Sequence, residues 1–297
     1  MDSLLDIDGA RLFVDERGPA DGSPLLFIHG GPGNSCWDFM SSVGDLIADE
    51  GIRVIGVDQR GVLRSDALPA DTAPTVDQIV DDFEEIRRSL GIESWTVIGH
   101  SAGAAYALEY APRHPDRITA LILDCPALDA DATDRYRLPV AAELLDAAGM
   151  SSEARECRRL AGLDRRLTAD DRTWEAMLPL GDRYLDLFLH DAESRSRYEQ
   201  LMSSAPQDLD WSRGISHLAL MPSMYQDRRP GLGGLTLPSM MIVGESDMVA
   251  APVVRDDYRQ ATSADVHVVP GAGHFAFVEQ PEQYVAEVVR FVRERVT

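Results

Sequence analysis

Consecutive apolar residues recur in short runs along the first 127 residues, and each run ends in a turn. Leu25-Leu26-Phe27-Ile28 follows Pro24, Ile52 to Val57 is broken only by Arg53 and Gly56, and Trp95 to Ile98 and Leu121 to Leu123 complete the set. Runs this short and continuous predict strands buried on both faces. Helices are predicted between them over about 38–50, 75–90 and 102–110. Thr75 is placed to cap the second and Gly91 to close it. Asp77, Asp81, Asp82, Glu84 and Glu85 precede Arg87 and Arg88 along that helix, an order that complements its dipole. The alternation returns with strands over about 240–243 and 266–269 and helices over about 253–260 and 281–293. Strands alternating with crossover helices define an α/β fold with a mainly parallel, doubly wound sheet covered on both sides.

The stretch 128–237 breaks this rhythm. It lacks buried-strand runs and is read as amphipathic helices over about 139–148, 152–162 and 183–202, closed by a Gly/Pro-rich loop at 229–234. The economical organisation is one core built from 1–127 and 238–297, with 128–237 inserted as a helical cap, or lid, over the sheet. The insertion carries dense apolar runs such as Tyr184 to Leu189 and Leu218 to Tyr225. Packing on the core accounts for most of these, and the remainder would line an apolar pocket.

Composition narrows the chemistry. All 28 basic residues of the 297 are arginine, against 50 Asp+Glu, for a formal charge of -22. The absence of lysine excludes Schiff-base, phosphate-loop and general-base lysine chemistry. An acidic surface repels phosphate backbones and anionic lipid, so neither nucleic acid nor a membrane is an expected partner. Cys36, Cys125 and Cys157 are widely spaced and form no metal-like cluster, as expected of reduced thiols and of a protein without a metal or other cofactor. The N-terminal stretch is acidic and lacks the apolar core of a signal peptide, and no run reaches 18 apolar residues. A cytoplasmic protein is expected.

Gly99-His100-Ser101-Ala102-Gly103 stands between a buried strand and a helix of small residues. A serine on a sharp strand-to-helix turn exposes its hydroxyl, and glycines two residues either side relieve the crowding. That hydroxyl needs a base, and the base an orienting acid. His274, in the glycine loop after the last strand, is the candidate base. His267 lies within that strand, His100 is expected to point away from the nucleophile, His114 ends a helix, and His190 and His217 lie in the insertion. Asp247, at the C-terminal edge of the strand over 240–243, is the candidate acid. Glu245 is its nearest rival and Asp124 the runner-up. His29-Gly30-Gly31-Pro32-Gly33 follows the first buried strand, and its glycines let backbone N–H groups approach a ligand. The N–H groups of Gly31 and Ala102 are the expected oxyanion hole, with His29 bracing the turn.

These motifs resemble the proline iminopeptidase branch of the α/β-hydrolases. HGGPG at 29–33, Asp58-Gln59-Arg60-Gly61, GHSAG at 99–103, GESD at 244–247 and GAGHF at 271–275 fall in that family's order, as does the sequence Ser101, Asp247, His274. The chain departs from the pattern at Val62-Leu63, where the family has a glycine before Arg-Ser, and at Ala102, where it commonly has tryptophan. The resemblance implies an α/β-hydrolase fold and a serine amidohydrolase releasing an N-terminal aminoacyl group from a peptide or small-molecule amide, and the motif departures with the apolar insertion extend the expected substrates to polyketide-type amides. It also implies carboxylates in the insertion that read a free amine, and Glu175, Asp182, Asp186, Asp191, Glu193 and Glu199 are the candidates. The expected partner is thus a small molecule or short peptide with a free amine and an apolar acyl acceptor. The alternatives are a carboxylesterase, lactonase or thioesterase, an acyltransferase, a cofactor-free oxygenase or lyase, and a non-catalytic binder.

Overall fold

The computed structural model describes residues 2–69 and 71–296. Among the described residues eight strands form one sheet: β1 (Asp2–Ile7), β2 (Ala10–Arg17), β3 (Ser23–Ile28), β4 (Ile52–Asp58), β5 (Trp95–His100), β6 (Ile118–Asp124), β7 (Ser239–Gly244) and β8 (Val266–Val269). Their order is β1-β2-β4-β3-β5-β6-β7-β8. From β4 to β8 all neighbours are parallel, while β1 and β2 add an antiparallel hairpin at one edge. The apolar runs of the sequence do not announce that hairpin. Its strands mix exposed, part-buried and buried positions and carry acids, so they lack the continuous apolar run that marks the central strands.

Side chains alternate across the sheet and divide the core in two. Leu26, Ile28, Ile55 and Val57 face the helices Val76–Ser89, Ala102–Arg113 and Pro252–Thr262. Leu25, Phe27, Val54 and Ile98 face the helical stretch 37–48 and the helix Pro281–Val296. The 37–48 stretch runs through a π-helical turn at Met40–Gly44. Thr75 does cap its helix, accepting the N–H of Gln78 at 3.1 Å. Among the described residues no helix is long and apolar enough to cross a membrane.

Between β6 and β7 the chain is helical and has its own apolar cluster around Leu138, Leu145, Cys157, Met177 and Leu187. Two expected helices need correction. The one expected from 139 begins nine residues earlier, as Ala130–Ala147, with the Asp129 carboxylate accepting the N–H of Asp131. Pro139 lies inside it on the exposed side, where it removes one backbone hydrogen bond without breaking the helix. The helix expected over 183–202 is two pieces, a 3-10 stretch Leu178–Leu187 and the helix Ala192–Ser203 capped by Asp191. The break has a tertiary cause: the carbonyl of Phe188 accepts the N–H of His274 at 2.6 Å and leaves the helical ladder.

Candidate active site

Ser101 ends β5 and starts the helix Ala102–Arg113 with φ 55° and ψ -121°, a conformation that costs a non-glycine residue of order 1–3 kcal/mol. Its neighbours hold it there. The Ser101 N–H donates to the Asp124 carbonyl at 2.9 Å, and its own carbonyl accepts from Ala104 and Ala127. The flanking glycines are required by space. A Cβ on Gly103 would lie 2.2 Å from the Ile28 carbonyl oxygen, and one on Gly99 would lie 2.5 Å from that of Gly103.

The loops after β7 and β8 deliver the other two groups. Asp247 is 1 % exposed and its carboxylate accepts the N–H groups of Val249 and Ala250, each at 3.0 Å. His274 places Nδ1 2.9 Å from Asp247 Oδ1. Burial by itself would raise the Asp247 carboxyl, but the His274 hydrogen bond and charge and the two N–H groups outweigh it and hold it below the usual range. Burial lowers the His274 imidazole, with Asp247 opposing. Glu279, which no sequence signal singles out, braces this loop: one oxygen accepts from Gly273 and Phe275 and the other from the N–H of His190.

The DQRG stretch supports the 29–33 loop. The Gln59 N–H donates to His29 Nε2 at 3.1 Å and its side-chain amide to the His29 carbonyl at 2.9 Å, so His29 is the brace expected. The Asp58 carboxylate accepts the Cys36 N–H and the Arg64 guanidinium, and Arg60 pairs with Asp82 at 2.5 Å. Gly31 sits at φ 115°, open only to glycine at low cost.

Gly31, Ser101 and Ala102 line a cavity of about 270 Å³ between the sheet edge and the inserted helices. His274 packs its ring 5.6 Å from Phe188, which is part of the cavity wall. Pro32, Trp174, Tyr184, Leu218, Met221 and Met224 make most of the remaining wall apolar. One polar cluster interrupts it. Asp134 accepts the hydroxyls of Thr173 at 2.6 Å and Tyr225 at 2.7 Å and pairs with Arg137 at 2.8 Å. A larger hollow of about 720 Å³ lies against Asp77, Asp81 and Glu85, but it is a solvated acidic surface without a nucleophile.

None of the six carboxylates suggested for amine recognition lines this cavity. Glu175 pairs with Arg172, Asp186 with Arg183 and Arg195, Glu193 with Arg197 and Glu199 with Arg195, while Asp191 caps a helix and Asp182 is exposed. The acid that does line it, Asp134, escapes the sequence pattern because Pro139 marks an apparent helix start five residues after it. Of the rival acids, Glu245 accepts the Gly271 N–H and braces two loops, and Asp124 bonds to His100. His217 Nε2 meets the Arg60 carbonyl at 2.8 Å and His267 meets Glu287, so both are tied up in structural contacts. His100 does not line the cavity with Ser101, and its ring lies 4.7 Å from that of His274. Cys125 places its sulfur within 4.8 Å of the Asp247 and His274 donor atoms, which are already bonded to one another.

Residues 23–281 match the alpha/beta hydrolase fold family, and the chain belongs to it. It is 29% identical to a proline iminopeptidase of Xylella fastidiosa, over 92% of this chain and 90% of that protein. The crystal structure of a proline iminopeptidase-related protein from Thermus thermophilus superposes with a TM-score of 0.75 at 27% identity, covering 100% of this chain and 98% of that one. An esterase from Exiguobacterium antarcticum shares the fold at TM-score 0.67 and 21% identity, covering 98% of each chain.

Proposed function

We propose that this α/β hydrolase is a serine amidohydrolase releasing an N-terminal aminoacyl group from a peptide or small-molecule amide. The observation that carries the reading is the strained Ser101 at the cavity wall together with the buried His274–Asp247 pair at 2.9 Å. In this mechanism His274 takes the Ser101 proton as the hydroxyl oxygen attacks the amide carbonyl. The N–H groups of Gly31 and Ala102 receive the oxyanion, each donor contributing about 2.7–4 kcal/mol of transition-state stabilisation. His274 then gives its proton to the leaving amine, and the C–N bond breaks. Water, deprotonated by the same imidazole, hydrolyses the acyl-enzyme. Asp247 keeps the imidazole in the right tautomer and stabilises its charged form.

Asp134 lines the cavity and in this reading receives the substrate ammonium, and the apolar wall suits a hydrophobic acyl acceptor. The saturation of Asp134 by Arg137, Thr173 and Tyr225 favours one second reading, a carboxylesterase on an apolar ester, by the same chemistry. One experiment separates them. Leucine and alanine p-nitroanilides, their N-acetyl counterparts and p-nitrophenyl butyrate are assayed with wild type, Ser101→Ala and Asp134→Asn. The expected result is turnover of the free-amine anilides well above the blocked ones, a loss of that preference in Asp134→Asn, and a fall of about 10³-fold or more in Ser101→Ala. Equal rates on free and blocked amides would leave the esterase reading. Turnover that survives in Ser101→Ala would overturn acyl-enzyme chemistry.

A further inference from the structure

Directly behind the His274–Asp247 pair the fold builds a second one. His100 is the residue before Ser101 and is 2 % exposed. Its Nδ1 lies 3.0 Å from Asp124 Oδ2, and the same oxygen accepts the Tyr284 hydroxyl at 3.0 Å. The other oxygen of Asp124 is buried and has no hydrogen-bond partner among the described residues. The His100 ring is tilted 43° to that of His274, with Phe277 edge-on at 5.1 Å and Phe275 at 5.6 Å. Two imidazoles are therefore packed in a buried aromatic enclosure, each tied through Nδ1 to its own aspartate.

The ionisable groups around His100 come from every neighbouring element. Asp124 ends β6, with the Cys125 thiol following it, and Tyr284 comes from the helix Pro281–Val296. Asp38 faces it from the stretch after the 29–33 loop, while Asp247 and His274 come from the loops after β7 and β8. A buried imidazolium is costly unless paired, and here three carboxylates act on one ring. Burial opposes charge on His100, and Asp124, then Asp38 and Asp247, overcome it and hold the imidazole above its usual range. The effect on the neighbour is opposite: beyond burial, and against Asp247, the charge of His100 pushes the His274 imidazole further down.

We propose that His100 is a positioning residue for the catalytic base: held as an imidazolium by Asp124, it forms a fixed wall behind His274 whose charge opposes a second proton there. The proposal rests on the reading of Ser101, His274 and Asp247 as the catalytic set. His274 works as a base only when neutral, so activity is present above its folded pKa and lost as pH falls through it. A charge behind the ring moves that loss to lower pH and keeps the base free under mildly acidic conditions. Asp38, which burial raises to about 6, supports the His100 imidazolium above that pH and loses its charge as pH falls through it.

The test is the pH dependence of kcat/KM from about pH 4.5 to 9 for wild type, His100→Gln and Asp124→Asn, each checked for folding by circular dichroism. Glutamine keeps a hydrogen bond to Asp124 without a titrating charge. The expected acid limb of His100→Gln lies about one pH unit higher, which deepens the loss of rate on the acid side by up to about tenfold. Asp124→Asn, which removes the counter-ion, moves it in the same direction. A uniform loss at all pH values, with the limb unmoved, is what a filler of the core would give and overturns the proposal. A measurement on the unmodified protein covers the case in which the variants do not fold. Imidazole 15N shifts should show both His100 nitrogens protonated at about pH 7, and a neutral His100 ring there overturns the proposal. Loss of turnover in Ser101→Ala beside an unmoved His100→Gln profile would sink this inference alone, whereas turnover by Ser101→Ala would sink the triad reading on which it rests.

Discussion

Leu63 takes a backbone angle, φ 39°, that side chains with a Cβ rarely adopt, at the position where the resembling family has glycine. Left-handed backbone costs a branched residue about 1–2 kcal/mol. What holds Leu63 there is apolar burial. It is 4 % exposed and clusters with Trp37 and Val62, and Leu201, Met202, Ala205 and Leu209 of the inserted segment pack against that cluster. Burying a leucine side chain contributes about 1.5–3 kcal/mol, enough to offset the strain. Leu63→Gly is therefore expected to lose about 1 kcal/mol in urea unfolding, relieving strain while removing the contact. Leu63→Ala keeps the strain and loses most of the contact, so it should be the less stable of the two by about 1 kcal/mol. The reverse order would show that the backbone relaxes locally. The departure from the family motif is visible in the sequence, but its energetic reason is not, because the residues 201–209 that cover its cluster lie more than a hundred residues away.

At the scale of elements, the 29–33 loop is held from the side by the inserted segment. Gly33 and Gly214 meet backbone to backbone: a Cβ on Gly214 would lie 2.0 Å from the Gly33 carbonyl oxygen, and one on Gly33 would lie 2.2 Å from that of Gly214. Gly214→Ala must then push one element away from the other. Under the acyl-enzyme reading, in which Gly31 is an oxyanion donor, misplacing it by about 1 Å costs on the order of 10²-fold in rate. The expected outcome is a kcat/KM reduced by about 10- to 100-fold with KM changing less than kcat, and a folded protein by circular dichroism. Unchanged kcat would mean that the loop is positioned by the His29–Gln59 brace alone. Contacts of this kind mark the limit of what the sequence makes legible. Strands β3 to β8 and the motif loops at their ends can be read from it, since continuous apolar runs and turn residues are local signals. The edge hairpin, the true start of the helix Ala130–Ala147 and the break near Phe188 depend on partners distant in sequence. Asp134 is hidden for the same reason, while Ser101, Asp247 and His274 stand out because each follows a strand on one edge of the sheet.

For the whole molecule the relevant quantity is the excess of 50 acids over 28 arginines. Many of these charges pair across the surface, as Arg11 does with Asp66 and Arg293 with Glu50, and such exposed, solvent-screened pairs add little to stability. The unpaired excess gives the molecule a net negative field, whereas inside the cavity Asp134 is balanced by Arg137. A field of this sign raises the encounter rate of cationic substrates and is screened over about 10 Å at 0.1 M salt. Under the aminoacyl reading, kcat/KM for a free-amine anilide should fall about two- to fivefold as ionic strength rises from about 0.02 to 0.3 M. The neutral p-nitrophenyl butyrate serves as the internal control and should stay nearly flat, because salt effects on the fold act on both substrates alike. An anionic ester, such as the p-nitrophenyl monoester of succinate, should respond with the opposite sign. If all three vary together, the surface charge does not reach the encounter step, and any preference for an amine must arise inside the cavity, at Asp134.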